Sequence, residues 1–249
     1  MSEQGVTSSE RAQSIEFESE IHRELVQTEE DVKKYAPSSV GSDKDSWTNA
    51  RELVLRLNLI PWFIWRISNF ALGKPGEIHQ IPEGMIFGLR KLLVACATDP
   101  VIGRMKDVTS DRAALAQLSG DVFAASAVIH AVCRKLSKSP LERIWRPIID
   151  DALIRCQIGY FVGKQDPRFG AGRGMLAGFA GRAGLAILIA SGEREKAQKA
   201  LEQLAAGENT AKVGMEIYGA DPLQVSAMVL AAAGCGRDAA FGTVSYSLN

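Results

Sequence analysis

Apolar residues recur at the three- and four-residue spacing of an α-helix along most of this chain, whereas strand-like alternation is rare. Turn signals rich in Gly, Pro, Ser and Asp separate the apolar segments. In the first half of the chain, helices are predicted over 12–35, from 49 to the proline at 61, over 83–97, and briefly from 99. Further helices are predicted over 110–136, with a break near 120, and over 139–162, 174–192, 193–206 and 221–234. Residues 241–248 are predicted to form either a last helix or a frayed tail. The pattern predicts an all-α fold, a compact single-domain helical bundle.

Residues with helix-capping chemistry support several of these boundaries. Ser139, followed by Pro140 and Glu142, has the pattern of a capping box, and Asp221 before Pro222 predicts a second strong helix start. Weaker boundary signals are Asn49 with Glu52, Asp99 with Pro100, and Thr109 or Ser110 as helix starts, and Gly207 and Gly234 as helix ends. These signals divide the chain into short helices with short connections.

The stretch RFGAGRGMLAGFAGRAGLAILIASG at residues 168–192 departs most from ordinary helical sequence. Glycine costs about 1 kcal/mol relative to alanine inside a helix, so its accumulation there indicates close backbone packing. The apolar residues after Gly174 leave almost no polar face, which predicts a helix buried on nearly all sides. We predict that Gly178 and Gly181 are packing glycines, where a β-carbon would collide with a neighbouring helix.

The first 46 residues differ in composition from the rest, because they hold 11 acidic but only 5 basic residues. Residues 12–35 carry a thin apolar stripe typical of a helix, and 37–46 has the composition of a flexible linker. The stripe consists of Ile15, Ile21, Leu25 and Val32. We expect a weakly ordered acidic tail over 1–46 and one all-α domain over 47–249; the alternative for the tail is a docking helix for a partner.

Charge and hydropathy argue against two classes of partner. The chain has 29 basic and 29 acidic residues, and the positive excess after residue 46 is scattered without interleaved aromatic residues, so we expect no nucleic-acid binding. The residues after Met1 are polar, unlike a secretory signal. The longest apolar runs, LNLIPWFIW and LAILIA, are too short to span a bilayer. We therefore expect a cytoplasmic protein without membrane insertion.

Metal-binding and catalytic patterns are absent from the sequence. The three histidines, His22, His79 and His130, form no HxxxH or HExxH motif. The four cysteines lack CxxC spacing and lie in apolar helical contexts, which indicates buried free thiols. These are Cys96, Cys133, Cys156 and Cys235. We predict no metal, no cofactor and no catalytic residue.

Asp150 and Asp151 are the only paired carboxylates in the core region. Neighbouring residues point about 100° apart on a helix, so this pair is not expected to share a proton. We expect one aspartate to face solvent and the other to form an ion pair with Arg146 or Arg155 four residues away; the alternative is a lone metal or substrate contact.

The turn GAGRG is the best candidate for binding a small anion. Arg168, Arg173 and Arg182 supply positive charge, and Gly170, Gly172 and Gly174 would let a backbone approach a phosphate at a helix N-terminus. The spacing matches neither GxGxxG nor a P-loop, and no strand precedes it. The competing interpretation, which we favour, is a structural turn that brings the glycine-rich helix close to its neighbours.

From Trp145 onward the order of features resembles the HDOD family, the regulatory all-α domains related to HD-type phosphohydrolases. The segment WRPIIDDALIR from Trp145 is similar to the family's Trp-led helix, and GMLAGFAGRAGLAIL from Gly174 looks like its central GLLHDIGxLVL helix. The segment EIYGADPLQVSAMVL from Glu216 resembles the later helix of the family. The resemblance implies a helical signalling scaffold.

The departures from the family pattern concern its chemistry. Ala177 and Gly178 stand where the family has His and Asp, and Pro222 replaces a later histidine. The resemblance therefore implies a scaffold without the metal ligands of the parent hydrolases.

Three functions remain open. The leading hypothesis is a non-catalytic regulatory protein that binds a protein partner, with homodimer formation as an option. The second is a binder or enzyme for a phosphorylated small molecule at the Gly/Arg turn. The third is a structural subunit anchored by an exposed cluster of Trp62, Phe63 and Trp65.

Overall fold

Helices form nearly all the regular structure in the computed structural model, which describes residues 8–35, 44–73, 80–86, 88–235, 239–240 and 242–243. Within these ranges there are eleven α-helices and no strand, which confirms the all-α prediction. They are α1 (Ser8–Tyr35), α2 (Lys44–Leu57), α3 (Trp62–Leu72), α4 (Arg90–Thr98), α5 (Asp111–Gln117), α6 (Gly120–Leu136), α7 (Glu142–Gln165), α8 (Ala171–Ser191), α9 (Arg194–Ala205), α10 (Thr210–Tyr218) and α11 (Pro222–Ala232). A single 3-10 turn, Glu83–Met85, precedes α4.

The glycine-rich helix α8 occupies the centre of the molecule, as its apolar sequence predicts. Most of its residues are buried, and α7, α11 and α6 pack around it. The buried apolar side chains form one continuous cluster that extends from Phe17 in α1 to Ala240. The described helices therefore share a single hydrophobic core.

Helices α7 and α8 run antiparallel and approach closely because glycines face each other along their contact. A β-carbon on Gly159 would lie 2.0 Å from the carbonyl oxygen of Gly174, and one on Gly163 would lie 2.4 Å from that of Gly170. Gly178 packs in the same way against the carbonyl of Arg155, which confirms it as a packing glycine.

The same prediction for Gly181 is wrong. No described atom lies within 4 Å of the position that its β-carbon would take, and the residue is exposed. Successive residues point about 100° apart on a helix, so Gly181, three residues after Gly178, need not share its contact. Gly184 instead packs against the carbonyl of Pro222 in α11.

Helix α1 forms with slightly wider bounds than predicted, and three of its four stripe residues belong to the common core. Ile21, Leu25 and Val32 are buried, and the helix packs against α2 and α11. The side chain of Ile15 and residues 36–43 lie outside the described part of the chain. These three residues, which a docking helix would offer to a partner, are therefore used within the chain.

A buried carboxylate, which sequence reasoning missed, fastens α1 to α2. Glu29 pairs with Lys33 on its own helix and with Arg51 of α2 at 2.9 Å, and it accepts a hydrogen bond from the Thr48 hydroxyl at 2.8 Å. Buried charges are tolerated when they are paired in this way.

Several helix boundaries agree with the capping signals. The Ser110 hydroxyl accepts the backbone N–H of Ala113 at the start of α5, and Asp221 forms a complete capping box with Gln224 at the start of α11. The helical segment is interrupted between α5 and α6, just before Gly120, as predicted. Helix α9 ends just before Gly207, whose φ is +86°. These ends follow from local sequence.

Two predicted helix starts are wrong. Asn49 lies inside α2, where its amide donates to the Gly219 carbonyl at 2.9 Å instead of capping. Ser139 forms no capping box, because α7 begins only at Glu142. The Ser139 hydroxyl instead donates to the Ala190 carbonyl at 2.9 Å. Both polar side chains make tertiary contacts that the local pattern does not show.

Three further boundaries differ from prediction. Residues 83–97 form the 3-10 turn and α4 rather than one helix, with Gly88 at a φ of +77° between them. The Asp99 carboxylate caps the N–H groups of Val101 and Ile102, but only a turn follows. Helix α8 begins at Ala171, before the predicted 174.

Candidate functional site

The Gly/Arg turn lies between α7 and α8, and a carboxylate of the protein itself occupies the start of α8. Asp121, the second residue of α6, accepts the backbone N–H of Gly172 at 2.7 Å. Gly170 adopts a φ of +91°, and a β-carbon there would lie 3.1 Å from the same carboxylate. Anions are stabilised at helix N-termini, and here Asp121 holds the position that an external anion would take.

The three arginines predicted for this site point in different directions. Arg173 is only 8% exposed and donates to the carbonyl of Leu72 in α3, so it lies within the core. Arg168 is exposed and pairs with Asp166 at 3.6 Å. Arg182, more than two turns further along α8, pairs with Asp151 at 3.1 Å.

Burial affects the protonation equilibrium of Arg173. Loss of solvation lowers the pKa of its guanidinium, because the charged form is less well solvated inside the protein. The carbonyl of Leu72, and more weakly that of Phe169 at 3.4 Å, replace part of that solvation.

The glycines of the turn serve close packing, as the structural interpretation expects. Gly174 lies against the backbone of Gly159, and a β-carbon on Gly172 would lie 2.2 Å from the carbonyl oxygen of Asp121. Anion binding at this turn stays a prediction, and the described geometry favours the structural interpretation.

The outward side of α7 carries a row of large apolar residues that sequence reasoning did not single out. Ile154, Ile158, Phe161 and Val162 are 60%, 59%, 50% and 62% exposed. Ile158 follows Ile154 by four residues, and Phe161 and Val162 follow Ile158 by three and four. This spacing places all four on one helix face. We call these four residues the α7 outer face.

The opposite side of α7 already supplies the core. Trp145, Ile149, Cys156 and Tyr160 are buried there. A helix with apolar residues on two opposite faces is normally covered on both, and extended exposed apolar surfaces mark interaction sites. The α7 outer face is therefore the strongest candidate for a binding surface among the described residues.

Ion pairs lie before and beside the α7 outer face along the helix. Arg146 contacts Asp150 at 3.2 Å and Arg155 contacts Asp151 at 3.1 Å, which confirms the predicted i,i+4 pairing. Lys164 follows the face and lies 5.7 Å from the centroid of the Tyr160 ring. Exposed pairs of this kind contribute little stability, but they give the surface a polar border.

The described residues bring no metal-binding cluster together. No group of three or more His, Cys, Asp or Glu side chains within them could hold an ion. His22 and His130 are exposed and far apart in sequence, while His79 lies outside the described residues.

The four cysteines are free thiols, as predicted, and three of them are buried. Burial raises the pKa of Cys156 to about 12 and that of Cys133 to about 11. Since the thiolate is the reactive form, these side chains are poor nucleophiles.

The aromatic cluster of α3 lies against the core. Trp65 is 7% exposed and its ring stands 5.4 Å from that of Phe17, while Trp62 and Phe63 are half-buried against the same core. This arrangement offers no exposed aromatic anchor of the kind that a structural subunit would use.

A polar groove of about 610 Å³ lies where α2, α10 and the end of α8 meet. Its lining includes Glu52, Arg56, Glu193 and Lys196. The nearby Tyr218 hydroxyl is buried with no hydrogen-bond partner in the described part of the chain, and burial raises its pKa to about 12. Mixed charges of this kind do not specify one class of ligand.

By length and composition, α8 is apolar enough to cross a bilayer, but 67% of its most apolar window is buried within the protein. Helices α5 and α6 together would pass the same criterion only as a broken span, bent by 106°. The core helix of a soluble protein passes this criterion too, so it does not decide the location.

Comparison with models of known families, with curated proteins and with solved structures gave no match of any of the three kinds.

Proposed function

We propose that this chain is a non-catalytic regulatory protein of the cytoplasm that acts by binding a protein partner through the α7 outer face. The exposure of four large apolar side chains in one row carries the proposal. Covering four half-exposed side chains of this size would contribute on the order of 4 kcal/mol to a complex. The polar border described above suits an interface with an apolar centre.

The resemblance to the HDOD family supports this proposal. The family's His and Asp are replaced by Ala177 and Gly178, and a β-carbon on Gly178 would lie 2.2 Å from the Arg155 carbonyl oxygen. A metal-binding side chain could not be accommodated at 178 without moving α7 away. The packing that holds α7 to α8 is thus incompatible with an Asp at that position.

The experiment is affinity capture from the native cytoplasm with the intact chain and with Ile158→Glu. A buried glutamate in the interface carries a large desolvation cost, so the variant should lose the specific partner. Leu201→Glu on α9 is the matched control, because Leu201 is also an exposed apolar residue, at 37%. Retention of every captured protein by Ile158→Glu would refute binding through this face.

A further inference from the structure

We infer that the occupant of the α7 outer face is a second copy of this chain, packed antiparallel across a two-fold axis near Ile158. The inference rests on the proposed function, because it names the partner of the same surface. Three observations support it: the symmetry of the face, the charges along one edge of α7, and the area available.

The face is nearly symmetric about its centre. Ile154 and Val162 stand one helical turn before and one turn after Ile158, and all three are β-branched aliphatic residues. In an antiparallel pair, Ile154 of each copy would meet Val162 of the other, and the two Ile158 side chains would meet at the axis. A two-fold interface needs such a self-complementary surface.

The charges along one edge are complementary in the same arrangement. Asp150 precedes the face and Lys164 follows it, and on a helical projection both lie on the same edge of α7. A two-fold axis that reverses the helix direction places this edge of one copy beside the same edge of the other copy. Asp150 of each copy therefore comes beside Lys164 of the other. This contact would form twice, once on each side of the axis.

The α7 outer face supplies the apolar centre of an interface, and its neighbours on the helix add to the area. Four large side chains that are 50–62% exposed would bury on the order of 450 Å² of mostly apolar surface per copy, at about 200 Å² for a whole side chain. Polar residues on both edges of the 24-residue helix would bring this towards the roughly 800 Å² per partner of a standard interface.

Sedimentation velocity on the purified full chain tests the inference. The unaltered chain should be a dimer, and Ile158→Glu should be monomeric, with the dimer affinity lowered at least about a hundredfold. Leu201→Glu should remain dimeric. Circular dichroism melting of each variant establishes that it is folded.

A charge reversal tests the antiparallel register. Asp150→Lys alone should weaken dimerisation about tenfold, because it would face Lys164 of the other copy. Adding Lys164→Glu to the same chain should restore most of the affinity, since each new pair is again opposite in charge. A double variant as weak as Asp150→Lys would overturn the register, and with it the inference.

The outcomes separate the two proposals. A chain that stays monomeric up to about 100 μM, well above the Kd of a specific complex, overturns the second copy as occupant. If Ile158→Glu still removes a different captured protein, the proposed function stands without the dimer. If the chain is monomeric and Ile158→Glu captures the same proteins, both proposals fail. A dimer that Ile158→Glu leaves intact also overturns the inference.

Discussion

The contact between α7 and α8 predicts opposite effects for one substitution at two glycines of the same helix. A β-carbon on Gly174 would lie 2.0 Å from the carbonyl oxygen of Gly159 and 2.9 Å from its carbonyl carbon. These are backbone atoms, so they cannot rotate away as a flexible side chain would. A β-carbon on Gly181 meets no described atom within 4 Å.

The magnitudes follow from two terms. Alanine is favoured over glycine inside a helix by about 1 kcal/mol, and this gain applies at both positions. At Gly174 it is opposed by overpacking, which costs about 1–3 kcal/mol or more when backbones must separate. Because two rigid helices must move apart along a shared seam, we expect Gly174→Ala to lower the free energy of unfolding by about 1–2 kcal/mol. Gly181→Ala should raise it by about 0.5–1 kcal/mol.

Urea unfolding followed by far-ultraviolet circular dichroism measures both changes, and thermal melting provides a check. For a chain of this length, each kcal/mol shifts the melting temperature by about 2–4 °C. Gly178→Ala is the second test of the seam, since its β-carbon would meet the Arg155 carbonyl. If Gly174→Ala and Gly181→Ala changed stability in the same direction by similar amounts, the close approach of α7 to α8 would be refuted.

Three further predictions concern other parts of the molecule. Burial raises the pKa of the Asp221 carboxyl above its ordinary value of 3.8, so its contribution to stability is complete below pH 3.8 and is lost as the pH rises through the raised pKa. Asp221→Asn keeps a capping oxygen but does not ionise, so its stability relative to the unaltered chain should increase as the pH is raised from 3.8. Urea unfolding at several pH values would show this. Because burial raises the pKa of Cys156 to about 12 and that of Cys235 to about 12, both should react slowly with a disulfide reagent in the folded chain and rapidly in urea; equal rates in both states would contradict their burial. Asp121→Ala should destabilise the chain by about 1–2 kcal/mol, since the N–H of Gly172 loses its acceptor at the start of α8; an unchanged urea midpoint would show that this cap is dispensable.

The helical fold was predictable because its cause is local. Apolar spacing and capping residues such as Ser110 and Asp221 act within a few residues of themselves, and the structure follows them. Prediction failed where a polar side chain serves a distant element. Asn49 looks like a cap, but it bonds to Gly219, 170 residues away in sequence.

The candidate sites were harder to predict because side-chain direction depends on tertiary packing. Arg173 was predicted to bind an anion, yet it donates to the carbonyl of Leu72, 101 residues earlier. The α7 outer face, by contrast, left a signal in the sequence: Ile154, Ile158 and Val162 follow one another at intervals of four, opposite a row of core residues. Reading both sides of α7 would have found it.

The hydrogen bond between the buried side chains of Ser46 and Gln224, 2.8 Å long, joins residues 178 positions apart. It lies where α2 packs against α11, and α1 packs against α11 as well. Helices α1 and α2 therefore lack this part of their packing surface until α11 has been made. Contacts this distant in sequence slow folding, and the apolar faces that α1 and α2 turn towards α11 stay exposed until α11 has been made. A chain that stopped before Pro222 would leave α1, α2 and α8 without a shared neighbour.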